Sequence, residues 1–143
     1  MESNGPIGLF LKGHRALSEM EAAPRDYGTG ELLYASEVHT LECVAEAPGI
    51  NLTGIAARLE VSKSAVSKFV GKLMAAGYLD KSRAPDNAKE VNFTLTERGA
   101  IAVRGHREYR RRAFGPLFDA EARLSPRETE IVSSFLSELL RLL

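Results

Sequence analysis

Cysteine is nearly absent from the 143 residues, and this scarcity excludes disulfide-stabilised folds. The single thiol, Cys43, has no second cysteine to pair with, so no disulfide can form within the chain. This composition fits a reducing compartment, and we expect the cytoplasm. The chain also lacks a run of 18 apolar residues, which predicts no transmembrane helix and no membrane partner. No signal peptide is indicated, because no basic segment followed by an apolar one opens the sequence.

The usual catalytic signatures are missing as well. The sequence holds no glycine-rich phosphate loop, no nucleophile elbow and no Cys/His cluster at metal-binding spacing. Its three histidines and one cysteine do not form a recognisable triad. We therefore predict that the protein is not an enzyme, and we predict no cofactor.

An excess of either charge is also absent, since 19 basic and 19 acidic residues cancel. The charges are nevertheless unevenly distributed. Residues 1–57 hold 3 Lys/Arg against 8 Asp/Glu, residues 58–112 hold 13 against 6, and residues 113–143 hold 3 against 5. A basic block between acidic ends indicates a localised anion-binding surface.

A helix-turn-helix is indicated over residues 52–78. Two segments repeat apolar residues with the period of an α-helix. These positions are Leu52, Ile55, Ala56, Leu59, Val66, Phe69, Val70, Leu73 and Met74. Ala56 supplies a small side chain where two such helices cross closely. Glu60 occupies the turn at a position where glycine is common, so the turn need not be of the tightest variety.

The second of these helices presents small and cationic side chains opposite its apolar side. They are Lys63, Ser64, Ser67, Lys68 and Lys72. Such a face suits the major groove of DNA, where lysine and serine reach phosphates and base edges. Ser62 is predicted to cap this helix, and either Asn51 or Thr53 to cap the helix before it.

A β-hairpin is predicted directly after the second helix, because the apolar period changes from 3.6 to 2. The predicted strands are residues 78–83 and 90–95, and the predicted turn is residues 84–88. Arg83 and Lys89 flank the tip of the hairpin, where they could reach a phosphate or the minor groove. A hairpin in this position is a wing, so the unit is predicted to be a winged helix-turn-helix.

Further helices are predicted on both sides of this unit. Their approximate spans are residues 6–20, 32–47, 97–114 and 126–143, with Gly115-Pro116 ending the third. Ser125 and Glu128 form a capping box before the last helix. That helix carries a wide apolar stripe, formed by Ile131, Val132, Phe135, Leu136, Leu139, Leu140 and Leu143. Burying this stripe at about 25 cal/mol per Å² favours a homodimer, and docking on the same subunit is the alternative.

Residues 49–99 resemble the winged helix-turn-helix of the MarR family of transcriptional regulators. The resemblance is carried by VSKSAVSK at the helix start, KLMAAGYLDK at the helix exit and LTERG at the end of the wing. It implies a mainly α fold with a small β-hairpin in a single domain over residues 1–143. The winged helix-turn-helix would cover about residues 35–96, between dimerisation helices at about 6–20 and 97–143. It also implies an obligate homodimer on a pseudo-palindromic DNA operator, usually a repressor released by a ligand, metal or oxidant.

The wing departs from the family pattern at its tip. Family wings often carry Asp-Arg-Arg there, and the matching residues are Asn87-Ala88-Lys89. Ala88 stands where an arginine would insert into the minor groove, so we expect weaker minor-groove readout. Lys89 or Arg83 could replace that arginine.

Nine residues are predicted to contact double-stranded DNA: Arg58, Lys63, Ser64, Ser67, Lys68, Lys72, Lys81, Arg83 and Lys89. Ser64 and Ser67 are predicted to contact base edges, because short side chains let the helix approach closely. The lysines are predicted to neutralise phosphates. A dimer would contact two half-sites about one helical turn apart.

The effector stays open between three alternatives. The first is a metal, held by Glu37 or His39 together with Cys43 and His106, since imidazole, thiolate and carboxylate suit zinc. Arg110 stands where some relatives are expected to place another ligand, and arginine cannot bind a metal. The second is oxidation of Cys43, although no adjacent Lys or Arg lowers its pKa. The third is a small aromatic or lipophilic molecule.

Two further alternatives concern function. A winged-helix module that binds only proteins would more often expose aromatic residues or leucine over residues 62–72. An activator would differ from a repressor only in where its operator lies.

Overall fold

The computed structural model describes residues 4–84 and 86–143, without the side chains of Ala84 and Ala88. The chain divides into two compact units, residues 1–106 and 107–143. The helices are α1 (Pro6–Ala22), α2 (Ala35–Glu46), α3 (Leu52–Leu59), α4 (Lys63–Ala75), α5 (Glu97–Glu121) and α6 (Pro126–Leu142). The strands are β1 (Arg25–Asp26), β2 (Leu32–Leu33), β3 (Ile50–Asn51), β4 (Leu79–Ala84) and β5 (Asn87–Leu95). The predicted fold class, mainly α with a small β-hairpin, is confirmed.

The core of the first unit lies among α2, α3, α4 and the sheet. Its fully buried side chains include Val38, Leu41, Val44, Ile55, Val66, Leu73 and Tyr78. Burying an aliphatic side chain of this size stabilises a fold by about 1.5–3 kcal/mol. Val66, Val70 and Leu73 fix which side of α4 faces inward, and its opposite side is left exposed.

The wing belongs to a three-stranded antiparallel sheet in the order β3-β5-β4. Strand β3 was not predicted, because two residues are too few to show a period. It pairs with β5 through Ile50↔Phe93 and Asn51↔Asn92. The register of the hairpin shifts between Arg83 and Ala84, and Ala84 pairs with Asn87. Strand β5 therefore starts earlier than predicted, and the turn residue Pro85 lies outside the described residues.

Two helix boundaries differ from the predicted ones. Helix α2 begins at Ala35 rather than residue 32, because Leu32–Leu33 pair with β1. The predicted end of α5 at Gly115-Pro116 is wrong, since the helix continues to Glu121 with Pro116 inside it. An interior proline removes one backbone hydrogen bond and can be absorbed as a kink.

Helix α6 begins as predicted. Ser125 Oγ accepts from the Glu128 N–H at 3.3 Å, and Glu128 Oε2 accepts from the Ser125 N–H at 2.8 Å. The apolar stripe stays open in the single chain, since α6 has no buried residue and Leu140 is 73% exposed. This exposure is what the homodimer hypothesis requires. In the described part of the chain, every helix is too short or too polar to cross a membrane.

Candidate nucleic-acid interface

The helix-turn-helix has a capping side chain at the start of each helix. Asn51 Oδ1 accepts from the Gly54 N–H at 2.8 Å, so Asn51 rather than Thr53 caps α3. Ser62 Oγ accepts from the Ala65 N–H at 3.2 Å at the start of α4, as predicted. These caps satisfy backbone donors that the first turn of a helix leaves without partners.

The turn between α3 and α4 is as tight as a glycine turn. Glu60 has φ 55° and ψ 40°, a left-handed conformation, and its N–H donates to the carbonyl of Ala56. Glu60 in place of glycine therefore does not loosen the turn. The turn still requires a left-handed conformation at this position, and Glu60 adopts it at a steric cost that glycine would avoid.

The exposed side of α4 is cationic and carries small hydroxyls. Lys63, Ser64, Ser67 and Lys68 are all exposed. The Ser64 hydroxyl lies 3.1 Å from that of Ser62, at the first turn of the helix. This surface has no acidic or bulky side chain that would block an approaching duplex.

A groove of about 510 Å³ separates α4 from the wing and the start of α3. Three of the nine predicted DNA-contacting residues line it together: Ser67 from α4, Lys81 from β4 and Lys89 from β5. Thr53 also lines the groove, although its hydroxyl was considered only as a cap. The groove thus combines cations and hydroxyls from four elements.

Arg58 and Arg83 lie outside the lining of this groove. The Arg58 guanidinium is 3.4 Å from the Glu46 carboxylate, and both side chains are about half exposed. Such a pair contributes little to stability, so Arg58 can exchange Glu46 for a phosphate. Arg83 is exposed on β4, two residues after Lys81 and on the same side of the strand.

Lys72 occupies a different environment from the other lysines of α4. Its Nζ lies 2.5 Å from Oε1 of Glu37, which is 5% exposed, and 5.5 Å from the centre of the Tyr34 ring. The hydrogen bond with Glu37 raises the pKa of Lys72. Lys72 therefore neutralises a buried carboxylate and ties α4 to α2. The sequence did not reveal this pair, because its members lie 35 positions apart on different helices.

A second polar link was also missed. Asn51 Nδ2 donates to Glu90 Oε1 at 2.5 Å, and Asn87 Nδ2 donates to Glu90 Oε2 at 3.5 Å. Glu90 lines the groove beside Lys89. No local sequence signal could have indicated this link, because it depends on the pairing of β3 with β5.

The predicted metal-binding residues are only partly brought together. His39, Glu42 and His106 each place a ligand atom within 4.8 Å of the others. His106 Nδ1 lies 2.9 Å from Glu42 Oε1, and the two imidazole rings are 5.2 Å apart. Two imidazoles and a carboxylate form a donor set that suits zinc. Glu42, one helical turn after His39, therefore takes the place predicted for the thiol.

Cys43 and Glu37 stand apart from this cluster among the described residues. Cys43 is 7% exposed and belongs to the buried core, and its thiol is not among the ligand atoms that lie close to the two histidines in the described part of the chain. Desolvation raises the pKa of its thiol, which disfavours the reactive thiolate. Glu37 is paired with Lys72.

Comparison with known proteins agrees with this architecture. The model of the MarR family matches residues 33–91. An uncharacterized HTH-type transcriptional regulator of Bacillus subtilis, YhjH, is 35% identical over 109 residues, covering 76% of this chain and 59% of its own length. The HTH-type transcriptional regulator PchR of the same organism is 30% identical over 107 residues, covering 73% of this chain and 62% of its own. The chain thus spans about 60% of the length of these relatives.

The fold is also that of a solved regulator. The zinc-responsive MarR family member ZitR of Lactococcus lactis superposes with a TM-score of 0.79 at 23% identity, over 94% of each chain. ZitR in complex with DNA gives 0.80 at 21% identity, over 97% of this chain and 98% of that one. Residues 33–91 thus carry the MarR-family region, and the matched relatives of Bacillus subtilis are HTH-type transcriptional regulators.

Proposed function

We propose that the protein is a DNA-binding transcriptional regulator. The observation that carries the proposal is the groove in which Ser67, Lys81 and Lys89 lie together beside the exposed cationic side of α4. The match of residues 33–91 to the MarR family supports it, as does the fold shared with ZitR, which has been solved in complex with DNA. The target would lie in the cytoplasm.

The proposed contacts follow from exposure and position. Ser64 and Ser67 would contact base edges, because they lie on the exposed side of α4 with short side chains. The phosphate contacts would come from Arg58, Lys63, Lys68, Lys81, Arg83 and Lys89. Lys72 has its partner in Glu37, so we assign it a structural role.

The proposed active form is a homodimeric repressor on a pseudo-palindromic operator. Residues 35–96 would bind DNA, and the helices at residues 6–20 and 97–143 would hold the dimer within a single MarR-like domain. The exposed apolar stripe of α6 supports this division, since a monomer would leave it in water. An effector would release the operator.

Selection from a library of randomised duplexes tests this proposal. Sequencing of the bound pool is expected to show two inverted half-sites about one helical turn apart. If about 6–10 phosphates are contacted, affinity for the selected duplex should fall about 10³–10⁵-fold between 50 and 200 mM salt. Lys68→Ala should weaken binding and lower the salt slope by about one. Arg123→Ala removes an exposed charge outside the proposed interface and should change neither.

No binding at low salt, or binding that salt does not affect, would contradict the proposal. The remaining explanation would then be a winged-helix module that contacts proteins.

A second candidate function is regulation by a metal, and the cluster of His39, Glu42 and His106 favours it. Zinc bound there would replace the contact between His106 and Glu42 and would join α2 to the first half of α5. Zinc titration by calorimetry should show a site that His39→Ala and His106→Ala abolish. His14→Ala, on exposed α1, is the matched control. Cys43→Ala should leave zinc affinity unchanged. A loss of zinc affinity in this variant would show that the thiol is a ligand.

A further inference from the structure

Asn51 contacts two elements through one side chain. Its carbonyl oxygen caps α3, and its amide nitrogen donates to Glu90 in the wing. We propose that Asn51 and Glu90 form a brace that positions the wing relative to α4. The brace would keep Lys81 and Lys89 facing the same stretch of DNA as Ser67. This inference rests on the proposed function and adds positioning residues to it.

Backbone pairing alone connects the start of α3 only weakly to the wing. Strand β3 has two residues, which pair as Ile50↔Phe93 and Asn51↔Asn92, and beside them the Gly49 N–H donates to the Phe93 carbonyl at 2.9 Å. Glu90 lies two residues from Asn92, on the same side of β5, which makes it the diagonal neighbour of Asn51. The side-chain hydrogen bond therefore extends this connection toward the tip of the wing.

The charge of Glu90 is consistent with a role other than DNA contact. Of the described residues that line the groove, Glu90 alone is acidic. Lys81 and Lys89 line the same groove, where they would contact phosphates. A carboxylate facing the DNA backbone is repelled by it. Two amides, from Asn51 and Asn87, instead donate to its oxygens. These contacts hold the carboxylate against the protein.

A matched pair of variants separates the hydrogen bond from the charge. Glu90→Gln and Glu90→Ala both remove the negative charge, but only glutamine keeps an oxygen that can accept from Asn51. Asn51→Ser completes the set, because serine caps a helix well but lacks the amide donor. Combining Asn51→Ser with Glu90→Ala shows whether the two side chains act through each other.

The brace is tested first without DNA. Amide hydrogen exchange of peptides covering residues 79–95 should be faster in Glu90→Ala and in Asn51→Ser than in the wild type. Glu90→Gln should exchange like the wild type. Loss of one such hydrogen bond corresponds to about 3- to 10-fold faster exchange. Equal exchange in all variants would overturn the brace.

Binding to the selected duplex then tests positioning. Glu90→Gln should bind at least as tightly as the wild type, because it removes a repulsive charge, and Glu90→Ala should bind about 3- to 10-fold more weakly than Glu90→Gln. Asn51→Ser should add no further loss to Glu90→Ala. Equal weakening by Gln and Ala, with a changed base preference, would instead assign Glu90 to direct base contact and overturn the brace. If the wild type binds no duplex, the proposed function fails, while hydrogen exchange still decides the brace.

Discussion

Glu60 is the single described non-glycine residue with a positive φ, and it shows how one position shapes the helix-turn-helix. The left-handed conformation costs a residue with a Cβ about 1–2 kcal/mol of conformational free energy. Glycine avoids this steric cost but loses more backbone entropy on folding. The fold therefore keeps Glu60 in a strained conformation to hold α3 and α4 at their crossing.

Replacing this residue tests the strain. Glu60→Gly is expected to raise the free energy of unfolding by about 0.5–1 kcal/mol, measured by urea denaturation with an unchanged m-value. Glu60→Ala keeps the Cβ and should stay within about 0.5 kcal/mol of the wild type. Equal effects of Gly and Ala would show that the conformation is not strained.

Asp26 should make the stability of the protein depend on pH. Its Oδ1 accepts from the backbone N–H groups of Gly28, Thr29 and Gly30, at 2.8, 2.9 and 3.1 Å. The bonds from Gly28 and Thr29 are the largest causes that lower its pKa. Because this pKa is lower in the folded state, the ionised carboxylate stabilises the fold. The stabilisation is complete at pH values above the ordinary carboxyl pKa and is lost as the pH falls through the folded-state pKa.

Asp26→Asn removes the charge and leaves one acceptor oxygen. The stability advantage of the wild type over this variant should be largest near pH 7 and should shrink as the pH falls below about 4. Urea denaturation across that range measures the difference, and the other acidic residues cancel because both proteins share them. A difference that does not change with pH would refute the assignment.

At the scale of elements, α5 depends on a close approach to the backbone before it. A Cβ at Gly105 would overlap the carbonyl group of Tyr27, whereas Gly71 in α4 has open space around it. Gly105→Ala is expected to lower the free energy of unfolding by about 1–3 kcal/mol. Gly71→Ala, the matched helical control, should raise it by about 0.5–1 kcal/mol. A stabilising Gly105→Ala would contradict this packing.

Elements defined by local signals could be predicted from the sequence, and contacts between distant elements could not. The caps Ser62 and Ser125 and the apolar side of α4 follow from spacing within one helix. The pairing of Lys72 with Glu37 and of Asn51 with Glu90 depends on tertiary contacts, which no local period records. The same holds for the candidate metal cluster, because it joins α2 to His106 on α5, and no local period shows that Glu42 rather than Cys43 lies beside His106.

At the scale of the whole molecule, the zero net charge conceals an ordered distribution. The basic residues concentrate in residues 58–112, which include α4, the wing and the first part of α5. The acidic ends carry α1 and α6, whose exposed large hydrophobic side chains include Leu9, Leu11, Leu136 and Leu140. This arrangement suits a chain whose middle faces an anion and whose ends face another copy.

The proposed dimer is tested at the exposed apolar stripe of α6. Leu140→Asp places a charge where a partner would bury an aliphatic side chain, and a symmetric dimer carries the change twice. A loss of about 1.5 kcal/mol from each copy weakens dimerisation about 100-fold, which sedimentation velocity at micromolar concentration would detect.

Ser137→Asp adds the same charge on the polar side of α6 and should leave the dimer intact. Because two half-sites must be bound together, Leu140→Asp should also weaken binding to the selected duplex while keeping the free energy of unfolding of the monomer. An unchanged dimer in Leu140→Asp would place the interface elsewhere, and equal loss in both variants would indicate a general effect of charge on α6.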